Sequence, residues 1–374
     1  MHFVISTQEL NFLLSKMQNI VSLKPSAPIL NNVMICAAND EIVMVTTDLK
    51  VGMRCVTEAK VFGEGATTLP AKKLAQLMRE IRATHVEFVT GDHEVTEIIA
   101  GDSRFKLHGM RAREYPALPD LSAADRFTMP QQQLRDLLYR TSFAVSREEG
   151  RFALMGVNLS FEQGQAIFVG TDGKCLARAV VQVASPLPAE RSYTIPIKAV
   201  EELVKWLGDE GEVTLFLTAE KITFQLGSTT LISKLLSGDY PDVSRVIPKS
   251  SSHLVGLHRE ELMALLRQIS LFMQDGYQSV RFTFSEGELA LRSNSSDLGE
   301  GQVKMAVDYR GERLDVAFNP TYLHNILKHC SQESVLCGLE DAFSPCLLTD
   351  QVAPPQKQDG ALFVLMPMRL SQEG

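Results

Sequence analysis

The chain has 374 residues, of which 45% are apolar and 22% charged, with a formal net charge of −8; this fits two or three soluble globular domains around real cores. No apolar run approaches the ~20 residues of a membrane helix, and no basic stretch followed by an apolar segment opens the chain, so a secretory leader is not expected. The acidic balance excludes a protein that coats nucleic acid over its whole surface, while leaving room for a local basic stripe.

Six segments repeat one apolar pattern at i, i+3, i+4 and i+7, the mark of a buried helical face. The first, Leu10, Leu13, Leu14 and Met17, follows the β-like run Phe3-Val4-Ile5. Residues 33–36 and 42–46, separated by Asn39-Asp40, then read as a hairpin. The second helix, Leu74, Leu77, Met78 and Ile81, follows Thr68-Leu69-Pro70-Ala71-Lys72. Residues 116–126, rich in Pro, Ser and charge, read as a linker.

Phe127-Thr128-Met129 precedes the third helix, Leu134, Leu137, Leu138 and Thr141. Thr194-Ile195-Pro196-Ile197-Lys198 precedes the fourth, Val200, Leu203, Val204 and Leu207. Proline is expected in the first helical turn, where its missing N–H has no partner to lose. A hairpin over 213–217 and 222–226 and a second linker over 241–253 come next. Leu254-Val255-Gly256-Leu257 leads into the fifth helix, Leu262, Leu265, Leu266 and Ile269, and a hairpin over 281–284 and 289–292 follows. Phe318-Asn319-Pro320 opens the sixth, Leu323, Ile326, Leu327 and Cys330, and 351–360 reads as a surface loop.

The six stripes start 64, 60, 66, 62 and 61 residues apart. Alternate members resemble each other most, and Thr47-Asp48 returns at Thr171-Asp172 as Tyr115-Pro116 returns at Tyr240-Pro241. The expectation is three α+β domains, at 1–125, 126–250 and 251–374, each with two helices on antiparallel sheets.

Enzyme motifs are scarce. The chain has no GxxxxGK[ST] loop, no GxGxxG and no GxSxG elbow. His253 and His258, like His324 and His329, are five apart rather than the four that puts two ligands on one helical face, so no metal is expected. Asp40, Asp48, Asp92 and Asp172 sit beside turn residues, as aspartates that cap their own turns do. The cysteines (Cys36, Cys55, Cys175, Cys330, Cys337, Cys346) form no CxxC pair, which points to reduced thiols in the cytoplasm. No catalytic group and no cofactor are expected.

Charge is partitioned. The helical windows 8–20, 71–82, 131–147, 197–207, 258–268 and 321–330 carry +6 together, which leaves −14 elsewhere. Lys72, Lys73, Arg79 and Arg82, with Arg135, Arg140 and Arg147, carry most of it. The alternative is a set of solvated amphipathic helices with a chance imbalance.

The threefold repeat, Gly170-Thr171-Asp172-Gly173-Lys174-Cys175-Leu176-Ala177, Tyr240-Pro241-Asp242, Arg245-Val246-Ile247-Pro248-Lys249 and Met366-Pro367-Met368-Arg369-Leu370 resemble the bacterial DNA polymerase III beta subunits, the replication sliding clamps, over effectively the whole chain. The resemblance implies a head-to-tail homodimeric ring around double-stranded DNA, held without sequence specificity, and non-catalytic tethering of the polymerase. It implies as partners the DNA polymerase III alpha subunit, a clamp loader, and other DNA polymerases and repair proteins carrying clamp-binding peptides, with no membrane.

It also implies a peptide pocket lined by Leu154, Thr171, Gly173, Lys174, Cys175, Leu176, Pro241, Arg245, Val246, Val364, Met366, Pro367, Met368, Arg369 and Leu370. Methionines offer adaptable apolar surface, and Pro367 cannot join a ladder, which marks a strand edge. Lys24, Lys72, Lys73, Arg79, Arg82, Arg135, Arg140, Arg151, Phe152 and Lys198 would face DNA, and Phe105 and Leu107 would meet Leu271 and Phe272 across the dimer seam. Two departures stand out: many clamps have His-Arg at Lys174-Cys175, and 371–374 extend past the usual terminal leucine. From the residues alone, a duplicated-domain enzyme acting on a small acidic substrate through helix-borne lysines, or a plain scaffold, stays open.

Overall fold

The computed structural model describes residues 1–22, 25–117, 124–148, 150–183, 191–273, 279–295, 298–350 and 360–369. The first third gives β1 (His2–Ser6), α1 (Thr7–Met17), β2 (Asn32–Ala38), β3 (Glu41–Thr47), β4 (Val51–Glu58), β5 (Lys60–Gly63), β6 (Gly65–Pro70), α2 (Ala71–Glu80), β7 (His85–Thr90), β8 (Val95–Ala100) and β9 (Ser103–His108). The middle third gives β10 (Asp125–Pro130), α3 (Gln131–Ser142), β11 (Gly156–Glu162), β12 (Gln165–Thr171), β13 (Cys175–Gln182), β14 (Ser192–Pro196), α4 (Ile197–Val204), β15 (Glu212–Leu217), β16 (Lys221–Leu226) and β17 (Thr229–Lys234). The last third gives β18 (His253–His258), α5 (Arg259–Ile269), β19 (Val280–Ser285), β20 (Glu288–Ser295), β21 (Gly299–Ala306), β22 (Leu314–Phe318), α6 (Pro320–His329), β23 (Ser334–Leu339), β24 (Cys346–Asp350) and β25 (Ala361–Leu365).

The six helices start where local chemistry stops a strand. Ser6 Oγ accepts from Glu9 N–H at 3.5 Å, half of a capping box. Asn319 Oδ1 accepts from Thr321 N–H at 2.9 Å, with Pro320 at the first helical position. Pro70 and Pro196 differ from expectation: each is the last residue of its strand, one place before the helix, so only Pro320 lies inside a first turn. The stripes face inward as read, with Leu10, Leu13, Leu14 and Met17 buried on α1 and Leu323, Ile326, Leu327 and Cys330 buried by α6. Three helices end sooner than the windows over which their charge was counted. Arg82, Arg147 and Lys205 lie past α2, α3 and α4, and the helical charge falls from +6 to +3.

Every strand pairing among the described residues is antiparallel, and the chain divides into two compact units. One, residues 1–135 with 198–235, holds a sheet of order β5-β1-β7-β8-β9 and one of order β10-β15-β16-β17-β4-β3-β2-β6. The other, residues 136–197 with 236–374, holds β14-β11-β12-β13-β25-β24-β23-β18 and β21-β20-β19-β22. Each eight-stranded sheet takes four strands from the middle third and four from a neighbouring third. The joints are continuous ladders, from Thr229↔Cys55 to Ser233↔Val51 and from Cys175↔Leu365 to Ala179↔Ala361. The three predicted hairpins form β2–β3, β15–β16 and β19–β20. The expected linkers are more structured than read: β10 starts at Asp125, and 241–253 contains a 3-10 turn, Val243–Arg245, before β18 begins at its last residue. Residues 118–123 and 351–359 lie outside the described residues.

Candidate partner groove and nucleic-acid-facing residues

In the second unit the turn before β13 is built from its own side chains. Asp172 Oδ1 accepts from the N–H of Lys174 (2.8 Å) and Cys175 (2.9 Å). Thr171 Oγ1 donates to the Cys175 carbonyl (2.7 Å) and accepts from Gly173 N–H (3.1 Å). Gly173 sits at φ +87°, a region glycine enters without strain. The turn recurs in the first unit, where Asp48 Oδ1 accepts from Lys50 (2.9 Å) and Val51 (2.7 Å) and Leu49 takes φ +73°.

Alternation along β13 separates two faces. Leu176 and Val180 join Ile167, Val169 and Val364 in a buried cluster, against which Tyr240, Val243, Ile247, Leu347 and Leu362 pack half-buried. This apolar floor is bordered by exposed Gly173, Lys174, Pro241, Arg245, Val246 and Met366. Asp242 pins Arg245: it accepts from Ser244 Oγ (2.6 Å), Ser244 N–H (3.1 Å) and Arg245 Nε (3.1 Å), which hold its carboxyl below the usual range.

Past β25, Met366 N–H donates to the Lys174 carbonyl (2.9 Å) and Met368 N–H to the Ala317 carbonyl (2.8 Å). The segment thus ties the eight-stranded sheet to β22, with Pro367 between the two donors. Pro367 and Met368 are half-buried and Arg369 exposed. Leu154 is half-buried at the end of the 3-10 turn Phe152–Leu154. Leu370 and 371–374 lie outside the described residues.

Cys175 departs from its expected place. It is opposite Leu365, one residue out of phase with Leu176, on the face where Phe363 meets Phe143 at 6.0 Å beyond α3. Only 2% of it is exposed and burial pushes its thiol up, so the thiol belongs to the helix-facing core rather than the floor.

Tyr322, on α6, was not legible as a site residue: it lies off the buried stripe of its helix. Its hydroxyl donates to Asp172 Oδ2 at 2.5 Å and thereby braces the turn. Burial, and the carboxylate it faces, push the phenol up. Tyr322→Phe is expected to destabilise the chain by about 1 kcal/mol, read as a lower thermal midpoint.

Four expected cations are engaged within the protein. Arg135 pairs with Asp209 (2.5 Å) and Arg140 with Asp350 (3.2 Å). Lys198 pairs with Asp48 (2.6 Å) and also donates to the Ile20 carbonyl (3.1 Å). Arg151 donates to the Asp172 carbonyl (2.6 Å) and lies 3.4 Å from Glu148. Lys72, Lys73 and Arg79 on α2, and Arg82 just past it, are exposed and make no ion pair among the described residues. Phe152 is 68% exposed, and Lys24 lies outside the described residues.

Beside Arg140, the His329 ring lies between Tyr139 (4.3 Å) and Phe143 (4.1 Å), with its Nδ1 2.7 Å from the Asn325 carbonyl. Burial, opposed by that carbonyl and aided by Lys328 and Arg140, lowers its pKa. The folded protein therefore holds fewer protons there than the unfolded chain, whose histidine titrates near 6.5. The stability is present above about pH 6.5 and is lost as the pH falls through and below that value. A lower thermal midpoint at pH 5.5 than at pH 7.5 is expected, and His329→Gln should make that drop smaller.

The residues read as a dimer seam lie at sheet margins. Phe105 and Leu107 are on β9, the edge of the five-stranded sheet. Leu271 (75% exposed) and Phe272 follow α5, and the Phe272 ring covers Gly301 on the edge strand β21, where a Cβ would stand 2.8 Å from it.

Comparison with known proteins covers the whole chain. Family models for the DNA polymerase III beta subunit match in three parts: the N-terminal domain over residues 1–119, the central domain over 128–242 and the C-terminal domain over 244–369. The beta sliding clamp of Chlamydia pneumoniae is 45% identical over 373 residues, all of both chains, and that of Haemophilus influenzae is 31% identical over 99% of this chain and all of its own. Among solved structures, a DnaN sliding clamp from Bartonella birtlesii bound to griselimycin superposes with a TM-score of 0.93 at 29% identity, covering 99% of this chain and all of that one. The DNA polymerase III subunit beta of Pseudomonas aeruginosa does so with 0.93 at 28% identity over the same shares. None of these relatives favours a small-substrate enzyme. With three matched domains, six helices on antiparallel sheets and full-length relatives, the chain belongs to the DNA polymerase III beta subunit family, the beta sliding clamps.

Proposed function

We propose that two copies of this processivity factor close head to tail into a ring, which encircles duplex DNA and tethers the replicative polymerase without catalysing a reaction. The observation that carries this reading is the full-length, three-domain correspondence to beta sliding clamps. Two sheets that end in the unpaired edges β9 and β21 support it, since such edges invite pairing with another chain. Domain bounds of 1–125, 126–250 and 251–374 go with it. Phe105 and Leu107 of one copy meet Leu271 and Phe272 of the other.

DNA contact falls to the exposed cations of α2 and to Arg82, with Phe152, and is weak, screened by salt and partly water-mediated, since tight contacts would stall sliding. Pairing of Arg135, Arg140, Arg151 and Lys198 with acceptors of the chain itself moderates the field further. The floor around Leu176 and Val364 takes short peptides with Leu or Phe anchors from the DNA polymerase III alpha subunit, the clamp loader and other polymerases and repair proteins. No described helix is long and apolar enough to cross a membrane, and a cytoplasmic place of work follows from the role.

The test is topological. Protein loaded by a clamp loader onto nicked circular DNA should stay bound through gel filtration and be lost once the circle is cut. Retention on the cut DNA would overturn encirclement.

A further inference from the structure

The two eight-stranded sheets share a plan, and their outer faces differ in chemistry at equivalent places. In the second unit Met366 N–H bonds the Lys174 carbonyl, and the next row on that face, Leu176–Val364–Leu347, belongs to the apolar floor. In the first unit Lys234 N–H bonds the Lys50 carbonyl at 2.8 Å, and Lys234 stands directly opposite Lys221 on β16. The row corresponding to the apolar one is Gly52–Ile232–Thr223. Where the second sheet sets Lys174 opposite Met366, the first sets Lys50 opposite Lys234, with Lys221 in register on the next strand, so three lysines share one row. Arg54, two residues beyond Gly52 on β4, extends the same face.

Opposed residues in an antiparallel ladder share a face, and like charges placed so repel. Lys50 and Lys234 are exposed and Lys221 half-buried, and neither they nor Arg54 form an ion pair among the described residues. The row also faces away from α1. Val51, Met53 and Cys55 of β4 are buried on the opposite face, and Thr57 on that face reaches Glu9 of α1 at 3.4 Å. A concentration of unneutralised cations is unexpected on a chain of net charge −8. It calls for an anionic partner approaching from the side away from the helices, whereas the DNA-facing reading concerns the helices and the turns beside them.

We propose that the Lys50–Lys234–Lys221 row is a docking surface for an acidic, Asp- and Glu-rich segment of a protein partner. The segment lies across the sheet where the second unit would take an apolar peptide. Lysines suit this because each is a mobile point charge that needs no fixed geometry from its partner. Screening by salt is therefore an integral property of the contact.

The test uses the full-length protein with a fluorescein-labelled peptide of ten residues alternating Asp or Glu with Gly, its Asn/Gln counterpart, and a labelled 12-base-pair DNA. In low salt the acidic peptide should bind and its neutral counterpart should not. The triple variant K50Q/K221Q/K234Q should weaken the acidic peptide at least about tenfold, as three surface charge pairs can. DNA affinity should not change, and an unaltered or raised thermal midpoint would show that the variant is folded. An acidic peptide that fails to bind, or binds the variant equally, overturns the proposal. So does a variant that loses DNA affinity instead, which would make the row a nucleic-acid contact.

Discussion

Phe272→Arg is expected to change the solution mass from twice 41.4 kDa to one chain, read by light scattering at micromolar concentration. The Phe272 ring lies over Gly301 on β21 and stays 36% exposed, so part of its surface is free to meet another chain. In the proposed seam an arginine there is a buried cation without a partner, which destabilises each interface by about 3–5 kcal/mol, or about two to four powers of ten per seam. Leu271→Arg is the companion variant. At 75% exposure that side chain has little to hold within its own chain, so monomers from this variant cannot be blamed on misfolding. A mass that stays doubled in both removes these residues from the seam.

The second large effect is expected at Met366→Glu. Met366 is exposed at the margin of the apolar floor while its backbone is held by Lys174, so the change alters surface chemistry without breaking the turn. A docked Leu or Phe anchor would lose the methionine's contact, and the carboxylate would lose water on binding. Affinity for a peptide with such anchors should fall about a hundredfold, or about 2.7 kcal/mol, with solution mass and circular dichroism unchanged. Unaltered affinity would move the peptide site elsewhere.

Much of the architecture was legible because it is local. The stripe Leu10, Leu13, Leu14 and Met17 needs only helical periodicity, and the turn between β2 and β3 needs only Asn39 and Asp40, both at positive φ. The echo of Thr47-Asp48 at Thr171-Asp172 proved to be one turn used twice, its aspartate capping two backbone N–H groups each time. Helix ends were less legible, since a stripe continues into residues that fold away, as at Leu207 beyond α4.

What depends on distant partners was not readable. Arg140 looks like a free cation on a helix until β24 brings Asp350 beside it. Tyr322 acquires its role only when α6 meets the turn at Asp172. Cys175 looked like part of a surface motif, and the phase of β13 turned it inward.

The joint between β4 and β17 has a consequence for the chain's biosynthesis. Cys55 meets Thr229 across 174 residues of sequence. At about 5–20 residues per second, β4 leaves the ribosome some ten to thirty seconds before the strand that will cover its edge. For that interval Val51, Met53 and Cys55 belong to a half-built sheet with an open ladder, the kind of nascent edge that sticks to other chains. A holding factor for the emerging N-terminal half, or sparser initiation that keeps neighbouring nascent chains apart, should therefore raise the yield of soluble protein.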